Sequence, residues 1–231
     1  PTQRWELIAT RPHDPTAFTE GLVAHDGGFL ESTGLYGHST IRRVDALTGA
    51  VLQERPLAAS PFGEGVTVLD GRAVQLTWVE HRVLSWTPDG LVRTANRHYP
   101  FEGWGLTTNG RALIASDGSA TVRWLDPTTF AVRRSIRVHD GARTITRINE
   151  LELVGGVLWA NVWHSDRIAL IDPADGHVRA WVDCAALRTR LSSPGEVLNG
   201  IARDPVTGGM AITGKYWPQL FAIRLVGRVP A

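Results

Sequence analysis

The sequence predicts an all-β fold: a five-bladed β-propeller of four-stranded antiparallel blades, closed by the N-terminal strand and filling residues 1–231 as a single domain. Two observations carry this. The first is a repeated segment, Phe18-Thr19-Glu20-Gly21-Leu22, Phe62-Gly63-Glu64-Gly65-Val66, Gly103-Trp104-Gly105-Leu106, Ile148-Asn149-Glu150-Leu151 and Leu198-Asn199-Gly200-Ile201. Aligned, these place Glu20, Glu64, Trp104, Asn149 and Asn199 in one column at spacings of 44, 40, 45 and 50 residues, with glycine next in four of the five. A period of that size marks a blade repeat. The second is that two kinds of turn recur in the same order within each repeat, which a β-sandwich with accidental spacing would not produce.

The elements follow from this frame. Each column residue leads into a first strand that ends at a turn tolerant of positive φ: His25-Asp26-Gly27-Gly28, Asp70-Gly71, Asn109-Gly110, Gly155-Gly156 and Asp204-Pro205-Val206-Thr207-Gly208. Second strands are expected at 29–32, 73–77, 112–115, 157–160 and 210–213, and third strands at 41–44, 82–86, 122–125, 168–171 and 220–223. Turns rich in Asp, Pro and Gly follow at 45–49, 88–90, 126–129 and 172–176. Fourth strands are expected at 51–54, 91–94, 132–136 and 178–182. The fifth blade runs out of chain after Ile223, and Trp5-Glu6-Leu7-Ile8-Ala9 is the spare strand that would complete it and remove an open edge. The longer link 183–197 contains Ala185-Ala186-Leu187-Arg188, a short helical turn.

Composition narrows the function. The formal charge is +1 without a basic run, so a nucleic-acid footprint or a polybasic membrane patch is not expected. No apolar stretch approaches the roughly 18 residues that span a bilayer, and Pro1 to Thr10 lacks the charged-then-apolar pattern of a secretory signal. The single cysteine, Cys184, reads as a small buried hydrophobe. Basic residues comprise one lysine, Lys215, among arginines, which singles out that ammonium because Lys and Arg differ in tight sites.

In an antiparallel meander the start of strand one and the loop from strand two to strand three lie at the same end. The column therefore shares a face with loops carrying Trp78, Trp163, Trp217 and Lys215, and Trp104 belongs to the column itself. An aromatic-walled pocket with a few polar groups describes a small-ligand site. Glu20 and Glu64 stand out, because a carboxylate among aromatics has its pKa raised toward neutrality, where proton transfer is useful. Tryptophans also serve as wedges between blades, and Asn149 and Asn199 also suit holding loop backbone. Of Glu150 and Glu152, one is expected to face the channel and the other to bind loop amides. The histidines, such as His13, His38 and His164, show no metal-ligand spacing.

These motifs resemble the plant and bacterial type of glutaminyl cyclase, or glutaminyl-peptide cyclotransferase. The resemblance runs through Phe18-Thr19-Glu20-Gly21-Leu22, Glu31-Ser32-Thr33-Gly34-Leu35-Tyr36-Gly37, Phe62-Gly63-Glu64-Gly65, Leu76-Thr77-Trp78, Gly103-Trp104-Gly105-Leu106-Thr107, Asn149-Glu150-Leu151-Glu152, Asn161-Val162-Trp163 and Thr213-Gly214-Lys215-Tyr216-Trp217-Pro218. It implies a five-bladed propeller that converts the N-terminal glutamine of peptides and proteins to pyroglutamate with loss of ammonia. By motif position it implies Glu64 as catalytic glutamate, Asn149 and Lys215 as polar helpers, Trp78, Trp104 and Trp163 as substrate-lining indoles, and Phe18 and Phe62 as pocket aromatics. Glu20 sits among the substrate-binding positions, but the plant members carry glutamine there. The resemblance further implies a periplasmic or secreted location; the expected partner is a peptide or protein N-terminus bearing glutamine, with neither nucleic acid nor membrane, and a monomer is expected. No cofactor is required by this chemistry and no metal ligand set is expected, though a structural cation in the channel is compatible with it. Two rival readings share the column: a metal-dependent propeller lactonase, with Glu20, Glu64, Asn149 and Asn199 as oxygen ligands for calcium, and a non-catalytic propeller that binds peptides on its aromatic rim.

Overall fold

A computed structural model describes residues 1–230 and shows five four-stranded antiparallel blades around one axis. Blade 1 comprises Thr19–His25, Gly28–Thr33, Thr40–Val44 and Val51–Pro56; blade 2 comprises Gly63–Leu69, Arg72–Thr77, Arg82–Trp86 and Arg93–His98. Blade 3 is Leu106–Thr108, Leu113–Ser116, Thr121–Leu125 and Val132–Arg137, and blade 4 is Ile148–Val154, Val157–Val162, Arg167–Ile171 and Val178–Asp183. In blade 5, Leu198–Arg203, Met210–Gly214 and Gln219–Leu225 are completed from the other end of the chain by Trp5–Pro12. Trp5 pairs with Leu225, Leu7 with Ile223 and Ala9 with Ala222, so the expected closure is present. The expected helical turn is present at Ala185–Arg188.

Closure goes further than the sequence suggests. Thr2–Gln3 runs parallel to Val178–Asp183 as a fifth strand of blade 4, and Trp5 Nε1 donates to Asp183 O at 2.7 Å. The N-terminus thus ties two blades. The seam between blades 5 and 1 is held by buried charge: Glu31 accepts from His13 at 2.9 Å, from Thr19 at 2.7 Å and from Arg42 at 2.9 Å, while Arg42 also reaches Asp14 at 2.9 Å. Beside it Arg11 pairs with Asp204 and donates to Ala46 O.

One fourth strand lies elsewhere than expected. Blade 2 ends with Arg93–His98 rather than 91–94, because Leu91 sits buried in the preceding turn with φ of 49° and its amide donates back to Thr87 O at 2.8 Å. An apolar residue there fills the blade core from a turn, which alternation alone reads as strand. Between blades the interior is apolar, with Leu30, Ile41, Val66 and Trp86 in one interface and Val122, Trp124, Ile148 and Leu151 in another.

The repeated column has a local cause. In four blades the pairing of inner and second strands slips at the column, between Thr19 and Gly21, Gly63 and Val66, Ile148 and Leu151, and Leu198 and Ile201. Each slip is a bulge, which re-aims the extra residue out of the ladder. The glycine that follows allows neighbouring inner strands to approach: a Cβ on Gly65 would lie 2.6 Å from Trp104 O, and one on Gly105 would lie 2.0 Å from Asn149 O. Blade 4 departs from this rule. It carries Glu150 at the glycine position.

A candidate active site at one end of the propeller

Phe18, Glu20, Phe62, Glu64, Trp78, Trp104, Asn149, Trp163 and Lys215 all line one cavity of about 250 Å³, with His164, Glu196 and Val197 completing its wall. The residues that the family motifs single out are therefore brought together. Four of the five column residues are among them. The fifth, Asn199, stands behind the wall, where its Nδ2 donates to Thr19 O at 2.9 Å and to Glu20 Oε2 at 3.1 Å. Trp217 corrects the expectation for its loop: it is fully buried inside blade 5 against Phe221, and its Nε1 donates to Glu196 O at 3.0 Å. A bare Gly214 backbone beneath the indole makes that burial possible, since a Cβ there would lie 2.5 Å from its ring.

Local backbone explains how side chains two strands apart meet. The loops from second to third strands each contain a left-handed residue at a similar place: Leu35 (φ 86°), His81 (φ 55°), Gly118 (φ 74°), His164 (φ 62°) and Tyr216 (φ 60°). Such a conformation costs a non-glycine residue on the order of 1 kcal/mol. Its placement next to Trp163 and Lys215 turns the chain sharply just after each of them, at the cavity wall.

The aromatic wall is a chain of edge contacts. Phe18 meets Phe62 at 6.0 Å between ring centroids, Phe62 meets Trp78 at 5.7 Å, and Trp104 meets Trp163 at 5.6 Å. Glu102, which the motif alignment passed over, joins the two halves: its Oε2 accepts from Trp78 Nε1 at 3.0 Å and from Trp104 Nε1 at 3.2 Å. An indole buried in an apolar wall needs an acceptor for its N–H. A carboxylate two residues before Trp104 was the available signal for this role. Tyr36 and Tyr216 extend the wall outward by packing edge-on to Phe62 and Phe18 at 5.4 and 5.3 Å.

The polar groups are unequal. Glu20 is buried and ion-paired, with Oε1 at 2.5 Å from Lys215 Nζ, and burial pushes its pKa up to about 7 against the pull of that ammonium. Lys215 also lies 4.2 Å from the centroid of the Phe18 ring, so its charge is shared between a carboxylate and an aromatic face. Glu64 makes no side-chain hydrogen bond among the described residues. Burial pushes its pKa well above the usual carboxylate range, the Glu20 charge adds to this, and Lys215 opposes it. Its carboxyl thus binds its proton more tightly than an ordinary carboxyl and stands without a side-chain hydrogen-bond partner at the cavity surface. Asn149 Oδ1 is buried without a partner as well, leaving a primary amide available to a ligand.

The inner wall of the channel answers the question about Glu150 and Glu152. Both accept main-chain amides of other blades: Glu150 from Leu22 N at 3.3 Å and Ile201 N at 2.9 Å, Glu152 from Arg203 N at 3.2 Å. Neither lines the cavity. The expectation that only one would bind amides is corrected, and the amides belong to inner strands rather than to loops. Inner strands have a free edge toward the axis, and a buried N–H there must find an acceptor.

Comparison with known proteins now decides the family. A family model described as Glutamine cyclotransferase matches residues 1–225. The chain belongs to this family. A glutaminyl-peptide cyclotransferase of Arabidopsis thaliana is 40% identical over 226 residues, which is 95% of this chain and 71% of that protein. The crystal structure of Myxococcus xanthus glutaminyl cyclase superposes with a TM-score of 0.89 at 37% identity, covering 97% of this chain and 98% of that one. The family is one of enzymes, and the resemblance read from the motifs is confirmed for family and fold.

Proposed function

We propose that this member converts the N-terminal glutamine of peptides or proteins to pyroglutamate, releasing ammonia, inside the cavity that Glu64 faces. The observation that carries the reading is a buried Glu64 without a side-chain hydrogen-bond partner, its pKa raised by burial, in one cavity with Asn149, whose Oδ1 has no partner, and a wall of flat indoles. Family membership supports it independently.

The reaction is an intramolecular aminolysis. The substrate's α-amine nitrogen attacks the γ-carboxamide carbon, a C–N bond forms, the carbonyl electron pair moves to oxygen, and the original C–N bond then breaks to expel ammonia. One proton must pass from the attacking to the leaving nitrogen. Glu64 carries it. An α-amine has a pKa of about 7.7–8.0, so a protonated Glu64 meeting a neutral amine holds the same proton count as a carboxylate meeting an ammonium. Either encounter yields one proton shared between them, and Glu64 delivers it to the departing nitrogen and recovers one from the attacking nitrogen. Asn149 is a primary amide facing a primary amide, so its Oδ1 can accept from the substrate's NH₂ while its Nδ2 donates to the carbonyl oxygen. Lys215, held by Glu20, supplies positive charge to the developing oxyanion. Trp78, Trp104 and Trp163, with Phe18 and Phe62, fold the glutamine side chain back so that amine and carboxamide approach.

The test is ammonia release from glutaminyl dipeptides. Turnover is expected, and it is expected to persist after dialysis against EDTA, since no step above is assigned to a metal. Absence of ammonia with binding retained would mark a peptide-binding propeller. Turnover of lactones lost with EDTA and restored by calcium would mark a lactonase.

A further inference from the structure

Outside the cavity, Trp163 and His164 also line a second groove of about 320 Å³, whose other walls include Arg143, Arg147, Arg167 and Trp181. Arg143 stands on a small hairpin in which Arg143–Thr144 pairs with His139–Asp140, Arg147 precedes the inner strand of blade 4, and Arg167 stacks over Trp181 at 4.4 Å. None of the three arginines has a carboxylate partner among the described residues. The acids close by are engaged elsewhere: Asp140 accepts from Trp181 Nε1 at 2.9 Å, and Asp166 pairs with Arg188 at 2.7 Å. Arg147 is fixed relative to the cavity, because its carbonyl accepts from Trp163 N at 2.9 Å and its amide donates to Gly118 O at 2.8 Å.

The two spaces differ in the balance of their charges. Against the one ammonium of the cavity, Lys215, which Glu20 already engages, stand Glu196 on the wall and Glu102 behind the indoles, with Glu64 as a further acid, whereas the groove across Trp163 carries three free guanidinium groups and no carboxylate in its lining. A peptide with its amino terminus in the cavity would be drawn in that polarity, amine toward the carboxylates and following residues toward the arginines. Planar guanidinium groups match carboxylates in particular.

We propose that the groove is a subsite for an acidic side chain at the second or third position of the substrate, bound by Arg143, Arg147 and Arg167, so that glutaminyl peptides continuing with Glu or Asp are preferred. This rests on the glutaminyl reading above and adds a substrate class to it.

The experiment is a competition among amidated Gln-Glu-Ala, Gln-Ala-Glu, Gln-Ala-Ala and Gln-Lys-Ala, with calorimetric binding of the same peptides alongside. Competing substrates report the ratio of their kcat/KM values whatever fraction of the enzyme is folded. One of the two acidic peptides is expected to exceed the neutral one by about 3- to 10-fold, the size that one or two partly exposed Arg–carboxylate contacts supply. The advantage should shrink at high salt. In the R143E/R147E double variant, or R143E alone if the double variant folds poorly, it should vanish and the Lys peptide should gain. Equal ratios for acidic, neutral and basic peptides, or a preference that both variants leave unchanged, overturn the proposal. Tighter, arginine-dependent binding of an acidic peptide without any ammonia release would keep the groove and overturn the cyclisation reading instead.

Discussion

Glu20 and Glu64 occupy equivalent bulges of neighbouring blades, and their partners give them different roles. Glu20 is committed to Lys215 and Asn199, while Glu64 is unbonded and has its pKa raised by burial. Replacing Glu64 by Gln keeps size and shape but cannot move a proton. Turnover should fall by about 10²–10⁴-fold with KM little changed. Glu20→Gln should cost much less in kcat and leave a distinct mark. Its charge raises the pKa of Glu64 and engages the ammonium that lowers it, so removing it lets Glu64 ionise at lower pH. The alkaline limb of the kcat/KM profile should therefore move down in pH; an unmoved limb would show that Glu64 is not the group titrating. Glu102 is a positioning residue. Glu102→Ala releases two indoles at once and should raise KM and lower kcat together, as Trp104→Ala should directly, because a mispositioned glutamine side chain loses both contact and approach geometry. Normal kinetics in both variants would place the pocket elsewhere.

Among the elements, the inner strands carry the site, and their bulges aim it. Strands this close to an axis leave amides with no ladder partner, and Glu150 gathers two of them from blades 5 and 1. A glutamine at that place has one accepting oxygen and an NH₂ that would confront a second N–H. Glu150→Gln should therefore destabilise the protein by about 1–3 kcal/mol, the cost of an unsatisfied buried donor, read from the midpoint of chemical denaturation. An unchanged midpoint would mean that water or a shifted strand replaces the carboxylate. The seam between blades 5 and 1 is built on the same logic, with Glu31 answering Arg42, His13 and Thr19.

For the whole molecule, these buried acids set how stability depends on pH. Burial raises Glu20, Glu64, Glu150 and Glu152, the first and last to about 7. A carboxyl raised on folding contributes stability that is full below its unfolded value, about 4.3, and is lost as pH rises toward its folded value. His13 acts in the same sense: burial lowers its pKa but the Glu31 carboxylate overcomes this and raises it, so its contribution is lost as pH rises through that higher value. Glu31 opposes them. Burial would raise it, yet Arg42 and His13 hold it well below the ordinary carboxylate range, and its contribution is lost only in strong acid. Thermal stability should peak near pH 5 and decline toward pH 8. For a chain of this size about 2 kcal/mol corresponds to roughly 4–8 °C in Tm. A Tm that rises from pH 5 to pH 8 would contradict the burial of these groups.

The sequence by itself determined the blade count, the strand order, the closure by the strand of Trp5-Glu6-Leu7-Ile8-Ala9 and the column and loop residues, Trp217 apart, that the cavity gathers. Each depends on a local pattern repeated five times: a turn, an alternating strand, a column residue before a glycine. Repetition makes such signals add, and a column in the alignment becomes a ring in space. Three things were decided only by tertiary structure. Glu102 became the shared acceptor of two indoles, Trp217 turned into the blade instead of the cavity, and Glu20 became the partner of Lys215 across 195 positions of chain. The first and last are side-chain contacts between blades or across a loop, which no period encodes. The placement of Glu150 is of the same kind. Its neighbours in sequence mark it as the exception to a glycine column, but its function depends on amides that face an axis formed only when the ring closes.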